Sequence, residues 1–265
     1  MTTNFTSPSD TPSGGIRRSL AEFFAENGKL AVAYSGGTDS AYLLYAARLH
    51  GADVTAYFAR SEFTPEFEVK EAENFAREIG CKYVVVKTSV LSDENITVNS
   101  ALRCYHCKRA MMSALLAAAE KDGFSVLADG TNASDDDAER PGSRATAELG
   151  VRSPLREAGL TKDDIRAAAK EAGLSVWDKP SYSCLATRIA QDTRLTRPLL
   201  NRVERAEGAL RAMGFSDFRV RVRPDGIRVQ IAPKEADMSE KKRAAIREAV
   251  RQIFPSEEIT VEERN

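Results

Sequence analysis

The sequence predicts an α/β fold, a parallel sheet with helices on both faces, followed by a small C-terminal α+β domain. From Ile16 to about Trp177 short apolar strands alternate with amphipathic helices, the pattern that builds a parallel sheet covered on each side. After about Leu195 that alternation gives way to a helix, a hairpin, a second helix and a last strand. A chain of 265 residues, 42% hydrophobic and 29% charged, is long enough to bury one good core and a smaller second one. The expected organisation is a disordered tail over 1–15, the α/β domain over 16–194 and the α+β domain over 195–265.

Taken in order, "KLAVAYS" reads as the first strand and "SAYLLYAARLH" as the helix after it. "DVTAYFAR" is a strand, "PEFEVKEAENFAREIG" a helix ending at Gly80, and "KYVVVKTS" a third strand. "CKRAMMSALLAAAEKDG" is a helix preceding the strand "SVLADG", and "TKDDIRAAAKEAG" is a helix with Thr161 as its N-cap. In the second domain "RPLLNRVERAEGALRAMGF" is a helix, "DFRVRVRPDGIRVQI" a hairpin turning at Pro224, Asp225 and Gly226, "SEKKRAAIREAVRQIF" a helix and "EITVEER" a strand. Ligands of such parallel sheets bind at the carboxyl ends of the strands.

Composition excludes several classes. A net charge of −1 gives no whole-molecule field for a polyanion, so no nucleic-acid partner is expected. No run of about eighteen apolar residues is present, and "MTTNFTSPSDTPSGG" has neither a basic nor an apolar targeting segment; the expectation is a cytoplasmic protein without membrane contact. In such a compartment Cys81, Cys104, Cys107 and Cys184 speak for metal binding or catalysis more than for disulfides.

The stretch "AVAYSGGTDSAYLLYAA" runs from a strand through paired glycines into a helix. Such a turn exposes successive backbone N–H groups at a positively polarised helix N-terminus, which suits phosphate. A P-loop would place lysine before its final Ser or Thr; here the position is Asp39, and an acid beside phosphates implies an intervening Mg²⁺. The plain alternative is a structural turn with Asp39 capping the helix. The full string Ser-Gly-Gly-Thr-Asp-Ser resembles the PP-loop signature of ATP pyrophosphatases, enzymes of the adenine nucleotide alpha hydrolase-like fold that cleave ATP between the α and β phosphates to adenylate an oxygen. That resemblance implies that Ser35, Gly36, Gly37, Thr38, Asp39 and Ser40 bind ATP and cradle the released pyrophosphate, with Asp39 a Mg²⁺ ligand.

"LRCYHCK" sets Cys104 and Cys107 close enough to share one metal centre, and "SYSCLATRI" supplies Cys184. Three thiolates suffice for three corners of a 4Fe-4S cluster, leaving one iron open. A CxxC pair is also half of a zinc site or a redox pair. Cys81 reads as a small buried hydrophobe, and His106, inside the CxxC, as a cover over the site.

With "AVAYSGGTDS", "RCYHCK", "LADGTNASDDDAERPG", "VRSPLREAGLTKDDIRAAAKEAGL", "SYSCLATRI" and "FRVRVR", the chain resembles the LarE family of ATP-dependent sulfur transferases from Ile16 onward. The resemblance implies adenylation of a carboxylate of pyridinium-3,5-biscarboxylic acid mononucleotide, then displacement of AMP by sulfur to leave a thiocarboxylate, a step in making the nickel-pincer nucleotide of lactate racemase. In one form of the family a cysteine at the position of Cys184 surrenders its own sulfur; in the three-cysteine form a 4Fe-4S cluster, here on Cys104, Cys107 and Cys184, carries an added sulfide. This sequence has the three-cysteine pattern, with Cys184 as sacrificial donor the alternative.

Arg219 and Arg221 occupy alternate strand positions and therefore one face. The resemblance makes them, with Thr187 and Arg188, ligands of the substrate phosphate. It makes Glu207 a metal ligand for Mg²⁺, though a second acid of that site is here Gln230. Asp129 and Gly130, with Asn132, fall at another strand end and line the nucleotide cleft. Asp135, Asp136 and Asp137 read as a solvated loop, ordered by Arg140. Family membership further implies a homo-oligomer and a functional link to nickel-pincer cofactor enzymes. Two other readings stand beside it: a PP-loop tRNA thiolase, and a nucleotide-binding iron–sulfur sensor without turnover.

Overall fold

The computed structural model describes residues 19–135 and 141–264; the tail over 1–15 and the positions Asp136, Asp137 and Arg140 lie outside the described residues. In chain order the elements are α1 (Leu20–Glu26), β1 (Lys29–Ala33), α2 (Thr38–Leu49), β2 (Asp53–Arg60), α3 (Glu66–Glu78), β3 (Lys82–Lys87), α4 (Glu94–Thr97) and α5 (Arg103–Lys121). There follow β4 (Leu127–Asp129), α6 (Pro141–Glu148), α7 (Pro154–Glu157), α8 (Lys162–Glu171), a 3-10 turn (Leu185–Arg188) and α9 (Arg197–Ala212). The chain continues through β5 (Phe218–Arg223), β6 (Gly226–Ile231), α10 (Pro233–Ala236), α11 (Glu240–Arg251) and β7 (Ile259–Glu263). Two compact units result. The first holds the residues up to Ala59 with Phe67–Thr88 and Lys108–Lys179; the second holds Arg60–Glu66, Ser89–Cys107 and the chain from Pro180 onward.

In the first unit the sheet order is β3-β2-β1-β4, with β1 paired in parallel to both β2 and β4. Side chains of a strand alternate between faces, and here each face finds its own core. Leu30, Val32, Tyr34, Val54, Ala56 and Phe58 pack with Phe23 and Phe24 of α1, Leu43 and Leu44 of α2, Phe75 of α3 and Ile165 of α8. Ala31, Ala33 and Tyr57 pack on the other side with Met112, Leu115 and Ala119 of α5, and with Phe124. Burial on both faces is why these strands read as continuous apolar runs, and the predicted α/β class holds.

Local signals set the helix starts. Thr161 caps α8 by accepting from the Asp164 N–H, while the Asp164 carboxylate accepts from the Thr161 N–H at 2.9 Å. Ser19 and Glu22 make the same reciprocal pair at α1, a helix the sequence reading omits although S-x-x-E is its signature. The helix expected from Cys107 starts a turn earlier, at Arg103, so the whole CxxC lies on α5.

The second unit carries the small α+β part. β5 and β6 form an antiparallel hairpin in which Arg223 faces Gly226, and β7 adds to β6 in parallel. Gly226 is required there: its φ is +133° and a Cβ would come within 2.5 Å of the Glu258 carbonyl oxygen. A bridge between Ile189 and Val222, with the Ala190 N–H donating to the Val222 carbonyl at 3.1 Å, lays the segment after Cys184 along β5. Among the described residues no helix is long and apolar enough to cross a membrane.

Leu44 is fully buried in the first core, so Leu44→Ala is expected to cost about 3 kcal/mol in denaturant unfolding. Glu73→Ala, which removes only an exposed i,i+4 pair with Arg77, is expected to stay within about 0.5 kcal/mol of wild type.

Candidate active site

The turn between β1 and α2 is shaped by its glycines. Gly36 has φ +80°, and a Cβ there would press on the Ala72 Cβ at 3.3 Å. Gly37 is the N-cap of α2 and provides no side-chain cap, so the first N–H groups of a twelve-residue helix are not answered from within the cap. Asp39 is therefore not the capping residue that the plain alternative required; it lies inside the first turn. Ser40 braces the turn instead, its Oγ accepting from the Ser35 N–H at 3.2 Å, lying 3.1 Å from the Ser35 Oγ and donating to the Gly37 carbonyl at 3.2 Å. The Thr38 hydroxyl is engaged elsewhere, donating to the Val176 carbonyl at 2.8 Å.

Asp39 is the chemically open group. Its Oδ1 is buried with no hydrogen-bond partner among the described residues, a costly state for a carboxylate oxygen. Burial raises its pKa, Lys162 opposes that, Asp135 adds to it, and Arg166 and a hydrogen bond to Asn132 oppose it again. A divalent cation at Oδ1 would meet that need, so the donor fits Mg²⁺. Gly130 joins the same place: a Cβ on it would stand 2.6 Å from the Ser40 backbone nitrogen, so only glycine lets the strand end approach α2 so closely. Asp129, expected beside the nucleotide, is buried and engaged by its own loop, accepting from the Thr131 N–H at 3.1 Å, the Thr131 hydroxyl at 2.7 Å and the Ser153 hydroxyl at 2.8 Å.

All three candidate sulfur-bearing residues belong to the second unit. Cys104 is exposed and Cys107 buried, one turn apart on α5; Cys184 is the N-cap of the 3-10 turn, its carbonyl accepting from the Thr187 hydroxyl at 2.7 Å. Arg103 links the two segments. Its guanidinium donates to the Cys104 Sγ at 3.3 Å, to the Ala186 carbonyl at 3.1 Å and to the Asn99 Oδ1 at 2.5 Å. Burial pushes the Cys184 thiol up, Arg103 pulls it down, and Cys104 pushes it up again. Thiolates are the right donors for iron or zinc, and Cys104 and Cys184 answer to one guanidinium. Among the described residues, however, no three His, Cys, Asp or Glu side chains stand together in a metal-binding arrangement.

The arginines of the same unit divide into anchored and poised. Arg188 and Glu207 form a fully buried pair, each side chain 1% exposed, with Nε donating to Oε1 at 2.6 Å. Glu207 also accepts from the Val220 N–H at 3.0 Å and from the Tyr182 hydroxyl. The Arg188 guanidinium lies 4.5 Å from the Tyr182 ring centre and donates to the Thr187 hydroxyl at 2.9 Å. The carboxylate expected as a metal ligand is thus placed as the counter-ion of Arg188. Arg219 donates to the Phe218 and Ser181 carbonyls, both at 2.6 Å. Arg221 donates to the Gln230 Oε1 at 2.5 Å and to the Thr187 carbonyl at 3.1 Å. Burial first, then neighbouring guanidinia, holds both below the usual arginine range, and Arg219 also lies 3.5 Å from the Asp217 Oδ1. Arg223 shares their face and donates to the Arg188 carbonyl at 3.2 Å.

Sequence reasoning missed Arg103, Tyr182 and Arg223. Arg223 was readable, since it continues the period of Arg219 and Arg221; Arg103 and Tyr182 flank cysteines but their partners lie far along the chain.

No family model matches the chain. The pyridinium-3,5-bisthiocarboxylic acid mononucleotide synthase of Lactiplantibacillus plantarum is 36% identical over 205 residues, which cover 77% of this chain and 74% of the relative. The chain belongs to the LarE family. Uncharacterized proteins of Synechocystis and Methanocaldococcus jannaschii extend the similarity, the first 35% identical over 217 residues (82% of this chain, 81% of the relative), the second 31% identical over 206 residues (78% of each). In this LarE family member the poised groups are Asp39 in one unit, and Arg219, Arg221 and the Arg103-linked cysteines in the other.

Glu207→Ala strands the Arg188 charge in the interior and is expected to cost about 3–5 kcal/mol in chemical denaturation. An Arg188→Met/Glu207→Leu double variant is expected to recover most of that loss, because it removes both charges.

Proposed function

We propose that this protein is an ATP-dependent sulfur transferase that converts a carboxylate of pyridinium-3,5-biscarboxylic acid mononucleotide to a thiocarboxylate. The observation that carries this reading is the similarity, over 77% of the chain, to a protein named as the synthase of the bisthiocarboxylic acid mononucleotide. In the first half-reaction the substrate carboxylate oxygen attacks the α-phosphorus of ATP and pyrophosphate leaves. The N–H groups of the Ser35–Ser40 turn receive the leaving group, and Asp39 would hold a Mg²⁺ ion, which when bound would offset the pyrophosphate charge. Arg219 and Arg221 hold the phosphate ester of the mononucleotide through charge-assisted hydrogen bonds, with Thr187 beside them and Arg188 fixing the segment from below.

In the second half-reaction a sulfur nucleophile attacks the acyl carbon and AMP departs. Cys104, Cys107 and Cys184 do not stand together as a metal site in this structure; they would hold a 4Fe-4S cluster only after the two cysteine segments converge, and such a cluster would supply a reusable sulfide in place of a cysteine's own sulfur. The second reading makes Cys184 the donor, its sulfur passing to the substrate by elimination that leaves dehydroalanine; burial holds the Cys184 thiol above its ordinary value, and the Arg103 guanidinium opposes that shift. The protein would act as a cytoplasmic homo-oligomer upstream of enzymes that use the nickel-pincer cofactor.

The deciding measurement is anaerobic purification followed by iron and sulfide analysis, a visible spectrum, and pyrophosphate release with the mononucleotide, alongside Cys104→Ala. Mononucleotide-dependent pyrophosphate release, with a broad iron–sulfur absorption that the variant loses, is the expected result. An iron-free protein whose Cys184 loses the mass of H₂S after one turnover selects the sacrificial mechanism. A signal that requires tRNA makes the protein a tRNA thiolase, and no pyrophosphate with any acceptor makes it a sensor.

A further inference from the structure

We propose that Lys179 is a positioning residue for nucleotide binding, holding the peptide between Gly36 and Gly37 with its N–H directed at the phosphates; this inference rests on the ATP reading above. The turn has no cation of its own, because Asp39 occupies the place a P-loop gives to lysine. The fold brings one from far along the chain. The Lys179 ammonium donates to the Gly36 carbonyl at 3.0 Å, and lies 3.3 Å from the Glu68 Oε2 and 2.9 Å from the Glu71 Oε2.

A trans peptide points its C=O and N–H in opposite directions. An ammonium on the Gly36 carbonyl therefore turns the Gly37 N–H to the other side and polarises it. There the N–H makes only a long 3.4 Å hydrogen bond to the Ser35 Oγ, which an incoming phosphate oxygen would replace. That control is needed at this peptide above others. Gly36 sits at φ +80° and Gly37 at −85°, and a peptide flanked by two glycines has low steric resistance to flipping. Flipped, it would present a carbonyl oxygen to the phosphates and repel them.

The lysine is itself held in place. Its side chain is 16% exposed, its carbonyl accepts from Arg166 at 3.0 Å, and the Val176 carbonyl, a few residues earlier, accepts from the Thr38 hydroxyl at 2.8 Å. Arg166 belongs to α8 and Thr38 opens α2, so the segment 176–179 is tied to both. Glu68 is the better shielded of the two acids, its side chain 11% exposed against 52% for Glu71. Glu71 therefore adds little to the hold.

The test uses the purified full chain and calorimetric titration with magnesium pyrophosphate and, separately, with AMP, beside thermal unfolding. Lys179→Met is expected to weaken pyrophosphate binding by about tenfold or more while leaving AMP affinity near wild type, with a lowered melting temperature because Glu68, 11% exposed, loses its cation. Lys179→Arg, whose guanidinium also reaches the carbonyl, is expected to remain within about threefold of wild type, and Glu71→Gln to match wild type. A Lys179→Met protein that binds pyrophosphate like wild type, or that loses AMP and pyrophosphate equally, overturns the inference and leaves the ATP reading standing. Wild type that binds neither ligand overturns both. Should Lys179→Met fail to fold, amide exchange in wild type decides: slowed exchange over residues 36–38 on adding pyrophosphate supports the inference, and unchanged exchange overturns it.

Discussion

The start of α2 is the constraint from which the first unit is built. A helix N-terminus carries partial positive charge and N–H groups that need acceptors, and this one begins on a glycine that offers no side chain. Everything around it keeps the end open instead of closing it. Gly36 takes a left-handed conformation against Ala72, Gly130 lets β4's end come up to Ser40, and the Ser35 and Ser40 hydroxyls satisfy each other and the turn. The parallel pairing of β1 with β2 and β4 delivers the turn to the carboxyl edge of the sheet, and the two flanking cores fix it there. An open helix end and an orphaned Asp39 oxygen are what the proposed binding of an anion with a cation beside it would draw on.

The second unit meets a different constraint, an excess of guanidinium groups in a partly buried place. Arg188 is neutralised by Glu207 and Arg264 by Asp217, the latter at 2.6 Å and 2.8 Å. Arg221 and Arg223 donate to an amide oxygen and to backbone carbonyls. Burying charge is costly without a partner, so the fully buried Arg188–Glu207 pair acts as a keel that fixes the segment after Cys184 against α9 and β5. Replacing that pair with apolar groups would cost little in stability, which locates its value in orientation.

The fold was legible because both halves of its signal are local. Strands such as 29–33 and 53–58 are buried on both faces, which yields unbroken apolar runs, and helices declare themselves by caps such as Thr161 with Asp164. The turn was legible because glycines and hydroxyls at fixed spacing have few other uses. What escaped was long-range pairing. Nothing near Arg103 in the chain announces Ala186 as its partner, nothing near Lys179 announces Gly36, and Glu207 in a helix looks like any surface acid until Arg188, Tyr182 and the Val220 N–H meet it. Asp129 sits at its strand end as the sequence suggests, and its bonds to the Thr131 and Ser153 hydroxyls are partners that only tertiary geometry reveals.

The proposed sulfur chemistry would turn on the surroundings of Cys184. Burial disfavours the thiolate, and a protonated thiol is a poor nucleophile and a poor metal ligand. Cys104, if ionised, makes matters worse by like-charge repulsion. Arg103 and the Thr187 and Ala186 backbone N–H groups act the other way on Cys184, and Arg103 is itself oriented by Asn99, a buried residue held at φ +58° whose side chain also donates to the Ala190 carbonyl at 2.7 Å. Such a left-handed conformation costs about 1 kcal/mol or more for a residue other than glycine. Here that cost is offset by two hydrogen bonds that join the start of α5 to the segment following Cys184. The strain, the guanidinium and the Cys184 segment form one assembly, in which the backbone at Asn99 sets where the positive charge falls and that charge opposes the effect of burial on the Cys184 thiol.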